Sequence, residues 1–140
     1  MAKIIENGIE REASCTEELF AMRDSLDVLG GKWKLMIIRY LTNRPDQMIH
    51  FKKLERSIEG ISAKMLSKEL KELETNLLIT RTIQDTKPIT VTYAVTEYGK
   101  SVFPVTETLV NWGIIHREKI KESMGLLSDI GKCKEAKIFI

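Results

Sequence analysis

The amino-acid sequence predicts an α+β fold that is mainly α, and three observations predict it. Apolar residues recur at helical spacing through most of the chain, the period falls to two between Ile79 and Val95, and the helical spacing then resumes. At 140 residues the chain has one ordinary domain's length with room for an arm and a tail. An apolar content of 43% beside 30% charged residues suits a soluble protein with a real core.

The net charge is only +2, so its distribution carries more than its total. Residues 1–30 hold three bases (Lys3, Arg11, Arg23) against seven acids (Glu6, Glu10, Glu12, Glu17, Glu18, Asp24, Asp27), a balance of −4 that leaves +6 for the remainder. Basic charge therefore gathers downstream of the first thirty residues, as a nucleic-acid surface there would require.

Residues 1–20 read as a polar, acid-rich arm, helical in part. Leu26 and Leu29 mark a short helix over Arg23 to Leu29, interrupted at Gly30-Gly31. A second helix follows to about Thr42, with Trp33, Met36, Ile37 and Tyr40 on one face and Asn43-Arg44-Pro45-Asp46 as the turn that ends it. Trp33 and Tyr40 read as core, because aromatics at helical spacing among aliphatics pack. Phe51, Leu54 and Ile58 predict a third helix over Ile49 to Ile58, with His50 a polar surface residue at its start.

Gly60 closes that helix, and Ser62 stands where an N-cap belongs, its hydroxyl able to accept a free backbone N–H of the next helix. That next helix, within Ile61 to Leu78, has two faces. Leu66, Leu70, Leu73 and Leu77 fall on one stripe and call for a core; Lys64, Lys68 and Lys71 fall on another, with Ser67 between them. Positive charge for phosphates and short donors for base edges are what a helix needs in a DNA groove, although most Lys-rich faces are only solvated.

The neighbouring segments decide between those readings. Ile79, Arg81 and Ile83 alternate with Thr80, Thr82 and Gln84, and Ile89, Val91, Tyr93 and Val95 alternate with Thr90, Thr92 and Ala94, which predicts two half-buried strands around the polar loop Asp85-Thr86-Lys87-Pro88. Two helices joined by a tight glycine turn, the second basic, and a hairpin directly after them compose a winged helix-turn-helix over residues 21–99 with a two-stranded wing. Its predicted DNA contacts are Ser62 and Ala63 at the helix start, Lys64, Ser67, Lys68 and Lys71 along it, and Arg81 and Lys87 on the wing.

Beyond the wing, Thr96 is an N-cap and Glu97 suits a first turn, so a long helix is expected over 97–124, kinked by Pro104 near Lys100 to Phe103. Its stripe of Val102, Val105, Leu109, Trp112 and Ile120 exceeds what a small domain can cover, which predicts dimerisation through that helix and a palindromic operator. The tail, 125–140, is mixed, with Ile138-Phe139-Ile140 able to dock.

Enzymatic chemistry finds no constellation. Gly30-Gly31-Lys32 ends like a phosphate loop, but Trp33 stands where Ser or Thr is required and the upstream glycine is missing. His50 and His116 lack companions at ligand spacing, so neither a metal nor another cofactor is expected. Two cysteines, Cys15 and Cys133, make no disulfide framework and fit reduced thiols in a cytoplasmic protein. The first residues given form no apolar signal core and no apolar run approaches membrane-spanning length, so neither export nor insertion is expected.

With the segments in order, the chain resembles the HxlR family of bacterial winged helix-turn-helix regulators, relatives of the MarR group. The matching residues are Leu26-Asp27-Val28-Leu29-Gly30-Gly31-Lys32-Trp33, Phe51-Lys52-Lys53-Leu54, Gly60-Ile61-Ser62, Leu66 and Leu70-Lys71-Glu72-Leu73-Glu74, then Tyr93, Thr96-Glu97-Tyr98-Gly99, Pro104-Val105 and Trp112-Gly113. The resemblance implies a homodimer, held by its N- and C-terminal helices, that binds operator DNA as a repressor and answers a small-molecule, redox or electrophile signal. Two departures stand out. The position of the family's sensor cysteine is Phe20 here, which counts against thiol sensing; Cys15, five residues earlier, is either the redox sensor or an incidental cytosolic cysteine. Leu77 occupies the family's glycine after the recognition helix, and Asn76 is expected to take the left-handed turn in its place. The alternative function is a winged-helix protein-interaction module without DNA binding.

Overall fold

The computed structural model describes residues 2–125, so Cys133 and the docking expected of Ile138-Phe139-Ile140 lie outside the described residues. The described residues fall into two units, divided between Lys100 and Ser101.

The first unit opens on a hairpin where a partly helical arm was expected. Strands β1 (Lys3–Glu6) and β2 (Ile9–Glu12) pair antiparallel, Glu6 opposite Ile9, around Asn7 and Gly8. Both turn residues have positive φ, 54° and 80°, the two-residue turn that Asn-Gly favours because its twist matches the strands. Acidic composition hid that signal. Helix α1 (Cys15–Leu29) begins eight residues before the expected Arg23, because Ser14 and Glu17 form a full capping box. Arg11 joins hairpin to helix, donating to Glu6 at 3.0 Å and through both terminal nitrogens to Glu17 at 3.0 and 2.8 Å. Those guanidinium bonds hold the Glu17 carboxyl down to about 2.

Helix α2 (Lys34–Thr42) buries Ile37, Ile38 and Leu41, whereas Trp33 and Tyr40 are half-buried and Met36 is exposed. The apolar face is thus turned from the one expected, and Trp33 precedes the helix. Ile49 and His50 are not helical: they form β3 (Ile49–His50), which pairs Ile49 with Tyr93. Helix α3 (Phe51–Ser57) therefore starts later, capped by His50, whose Nδ1 accepts from the Lys53 amide. Helix α4 (Ala63–Thr75) starts where Ser62 predicts, with the Met65 amide donating to the Ser62 hydroxyl at 3.1 Å.

Strands β4 (Ile79–Gln84) and β5 (Thr90–Val95) pair as the two-stranded wing expected, and β3 adds a third strand to it in the order β3-β5-β4. The short β3 escaped notice because two residues carry no periodicity. Ile83 and Ile89 are exposed, so the wing is half-buried only near its base, where Ile79 is buried.

The end of α4 corrects the expectation for Asn76. Asn76 keeps φ −89°, and Leu77 itself takes the left-handed value of +65°. The Leu77 amide donates to the Glu74 carbonyl and the Leu78 amide to the Leu73 carbonyl, both at 3.0 Å, which is a complete Schellman motif. That motif requires the left-handed residue immediately before Leu78, and Leu73 and Leu78 are both buried, so burying them sets the position of the turn. Thr96 locks it, its hydroxyl donating to the Leu77 carbonyl at 2.7 Å. Leu77 is 69% exposed and leaves the core stripe to Leu66, Leu70 and Leu73. Leu77→Gly is therefore expected to raise stability by about 1 kcal/mol, since a left-handed leucine costs roughly 1–2 kcal/mol. Urea denaturation checks it, and a lower midpoint would sink it.

The long helix expected from Thr96 is two helices. Thr96 does cap α5 (Glu97–Lys100), accepting from the Gly99 amide at 2.8 Å. A side chain at Gly99 would meet the Leu78 carbonyl oxygen at 2.1 Å, which is why glycine stands there. Helix α6 (Phe103–Ser123), in the second unit, begins afresh with Pro104 in its first turn. Proline there starts a helix where a kink was expected, because its missing N–H has no partner to lose in a first turn.

Candidate nucleic-acid interface

The frame of the site is a buried charge cluster that sequence reasoning missed. Lys34, on α2, is 8% exposed and pairs with Glu69 and, at 2.6 Å, with Glu72, both on α4. Burial works against the ammonium, but the two carboxylates outweigh it and hold its pKa above the ordinary lysine value. The hydrogen bond from Lys34 holds the Glu72 carboxyl below its ordinary value. Lysine and glutamate are counted as surface residues by default, so only Glu69, in register with Leu66, Leu70 and Leu73, signalled the cluster. The result is a charged tie between α2 and α4 beneath the latter's outer face.

On that outer face Ser62, Ala63, Lys64, Ser67, Lys68 and Lys71 are all exposed. Ser62 is occupied as the cap, so its hydroxyl already serves the helix. Arg81 is exposed on β4, and Lys87 is exposed in the loop between β4 and β5. The structure brings Ser67, Lys71 and Arg81 to one cleft, which Leu70, Glu74 and Tyr93 also line. Lys64, Lys68 and Lys87 are not among its lining residues.

Ion pairing divides the described basic residues, although Arg23, Lys32, Arg44, Lys53, Arg117 and Lys119 also hold no carboxylate among them. Lys3, Arg11, Lys34, Lys52, Lys100 and Lys121 each hold a carboxylate. Lys64, Lys68, Lys71, Arg81 and Lys87 make no ion pair with any described residue. Arg56, exposed in the last turn of α3, likewise makes no ion pair with a described residue, and the apolar spacing that predicts that helix gives no sign of it. Unpaired cations on one helix face, an adjoining strand and its loop leave charge available to an anionic partner.

Elsewhere the described residues hold no group of three or more His, Cys, Asp or Glu able to bind a metal, and no helix long and apolar enough to cross a membrane. Cys15 is exposed at the first position of α1. In the second unit, Val105, Leu109 and Trp112 are exposed on α6 and Ile120 is half-buried, with Trp112 stacked on His116 at 4.9 Å. Val102 does not belong with them: it precedes α6 and is 7% exposed, so its side chain is already covered.

A capped helix with a basic outer face, preceded by a short helix and followed by a sheet hairpin, defines a winged helix-turn-helix protein. The HxlR-like helix-turn-helix family model matches residues 28–121, and the chain belongs to that family of transcriptional regulators, which are not enzymes. An HTH-type transcriptional regulator of Halalkalibacterium halodurans is 41% identical over 90 residues, 64% of this chain and 78% of that protein. The crystal structure of the HTH-type regulator YtcD matches with a TM-score of 0.64 at 34% identity, over 69% of this chain and 96% of that one. The reduced form of the redox regulator HypR matches with a TM-score of 0.65 at 28% identity, over 73% and 98%.

Proposed function

We propose that this chain is a sequence-specific double-stranded DNA-binding repressor that acts as a homodimer on a palindromic operator. The observation that carries this reading is the clustering of Lys64, Lys68 and Lys71 on the exposed face of α4 with Arg81 and Lys87 on the wing that follows it, all exposed and none in an ion pair with a described residue. Helix α4 enters the major groove, Ser67 reads base edges, Lys64, Lys68, Lys71 and Arg56 meet phosphates, and Arg81 and Lys87 flank the groove. Exposed Leu19, Phe20, Met22 and Leu26 on α1, and Leu109, Trp112 and Ile115 on α6, support a second copy as partner, since apolar surface on this scale asks to be covered.

The signal is small-molecule, redox or electrophilic, and Cys15 is the thiol a redox response would use. HypR, a redox regulator by name, supports that part of the reading. The test is a gel shift with the DNA upstream of the protein's own gene, at two salt concentrations, with and without a mild oxidant. Specific retention that weakens at the higher salt is expected, and oxidant is expected to release the DNA from wild type but not from Cys15→Ser. Retention of no DNA at either salt would leave the interaction-module reading in its place.

A further inference from the structure

The cleft beside α4 has features that groove binding alone does not explain. Its volume is about 290 Å³, and Ser67, Leu70, Lys71 and Glu74 of α4 line it together with Arg81 of β4 and Tyr93 of β5. Arg81 and Tyr93 are direct cross-strand partners and so share one face of the sheet. Along β4, Ile79 before Arg81 is buried and Ile83 after it is exposed.

Tyr93 is only 9% exposed, yet its phenol makes no hydrogen bond with a described residue. The hydroxyl is not buried with the ring but reaches solvent, and so is free to donate to a molecule in the cleft. Lys71, Arg81 and Glu74 likewise make no ion pair with described residues. Two cations against one carboxylate leave a single positive charge, surrounded by the hydroxyls of Ser67 and Tyr93 and an apolar surface from Leu70.

We propose that this cleft is a binding site for a singly charged oxyanion, with Tyr93 donating to its oxygens and Lys71 and Arg81 balancing its charge. Glu74 disfavours a second negative charge and so selects a phosphodiester or a carboxylate over a phosphate dianion. The oxyanion has two sources. It is either a backbone phosphodiester of the DNA, seated between helix and wing, or a free organic carboxylate that competes with DNA for Lys71 and Arg81. The consequence for DNA rests on the function proposed above, whereas the anion site does not.

The full chain labelled with nitrogen-15 is titrated by NMR with dimethyl phosphate and, separately, with butyrate, at constant ionic strength. Saturable shifts are expected at the amides of Ser67, Lys71, Arg81 and Tyr93. Tyr93→Phe keeps the buried ring and is expected to weaken that binding about tenfold, as loss of one hydrogen bond to a charged acceptor does. Arg81→Gln, an exposed position, is expected to weaken it as well. DNA binding then separates the sources. If the phosphodiester is the occupant, dimethyl phosphate saturates and Tyr93→Phe loses about tenfold in DNA affinity. If a carboxylate is, butyrate saturates and displaces DNA, while Tyr93→Phe binds DNA as wild type does. Absence of saturable shifts with both anions, or equal anion affinity in wild type and Tyr93→Phe, overturns the proposal. Clear anion binding in a protein that retains no DNA would instead sink the DNA-binding reading and leave the anion site standing.

Discussion

Lys34→Met is expected to cost about 3–5 kcal/mol of folding stability, the largest effect of any single substitution considered, because it leaves the buried Glu69 carboxylate without its cation. Methionine fills a similar volume, so the loss comes from the stranded charge and not from a cavity. The companion variant Lys34→Met/Glu69→Met removes both charges, and its stability is expected within about 1 kcal/mol of wild type, since apolar residues commonly replace a buried pair without loss. The pH dependence follows from the shifts in the cluster. Lys34 is raised, so its contribution is present below the ordinary lysine value of 10.5 and is lost as pH rises through the folded value. Glu72 is lowered, so its contribution is present above the ordinary carboxyl value of 4.5 and is lost as pH falls through the folded one. The penalty of Lys34→Met is therefore greatest between those limits. It shrinks as pH falls through the folded value of Glu72, where the wild type loses that part of the cluster as well. Urea denaturation of the three proteins at pH 7 and at acid pH measures this; a single variant within about 1 kcal/mol of wild type at pH 7 would remove the cluster as a tie between α2 and α4.

The same cluster marks where the sequence was legible and where it was not. Helix α4 and strands β4 and β5 were readable because each carries a strong period, and Ser62 announced the helix start. What period cannot express was lost: β3 is two residues long, the hairpin turn rests on one dipeptide, and α5 is separated from α6 by Ser101 and Val102 alone. Leu77 was misjudged for a different reason. Local propensity favours Asn76 for a left-handed turn, but the buried pair Leu73 and Leu78 sets the register of the motif, and tertiary burial outweighs a local preference of about 1–2 kcal/mol. The lysines of α4 were legible as a stripe; their lack of partners, and the cleft that joins Lys71 to Arg81 and Tyr93, needed the folded chain.

Lys64→Ala/Lys68→Ala/Lys71→Ala is expected to abolish specific retention of DNA at physiological salt while leaving the fold intact, because all three side chains are exposed and none holds an ion pair with a described residue. The salt dependence makes the expectation quantitative. Each phosphate contact contributes about 0.9 to the slope of log affinity against log salt, so the triple variant loses about 2.7 units per protomer if all three lysines meet phosphates. Single substitutions divide the roles. Lys68→Ala is expected to remove about one unit and weaken all sequences alike, whereas Ser67→Ala is expected to leave the slope unchanged and relax discrimination by about 1 kcal/mol or more at one base pair. Lys71→Ala is informative in combination, because Lys71 and Arg81 line one cleft. If they share a single phosphate, Lys71→Ala/Arg81→Gln loses about one unit of slope in place of two. A triple variant with the wild-type salt slope would exclude the lysine face of α4 as the phosphate-contacting surface, whatever its residual affinity.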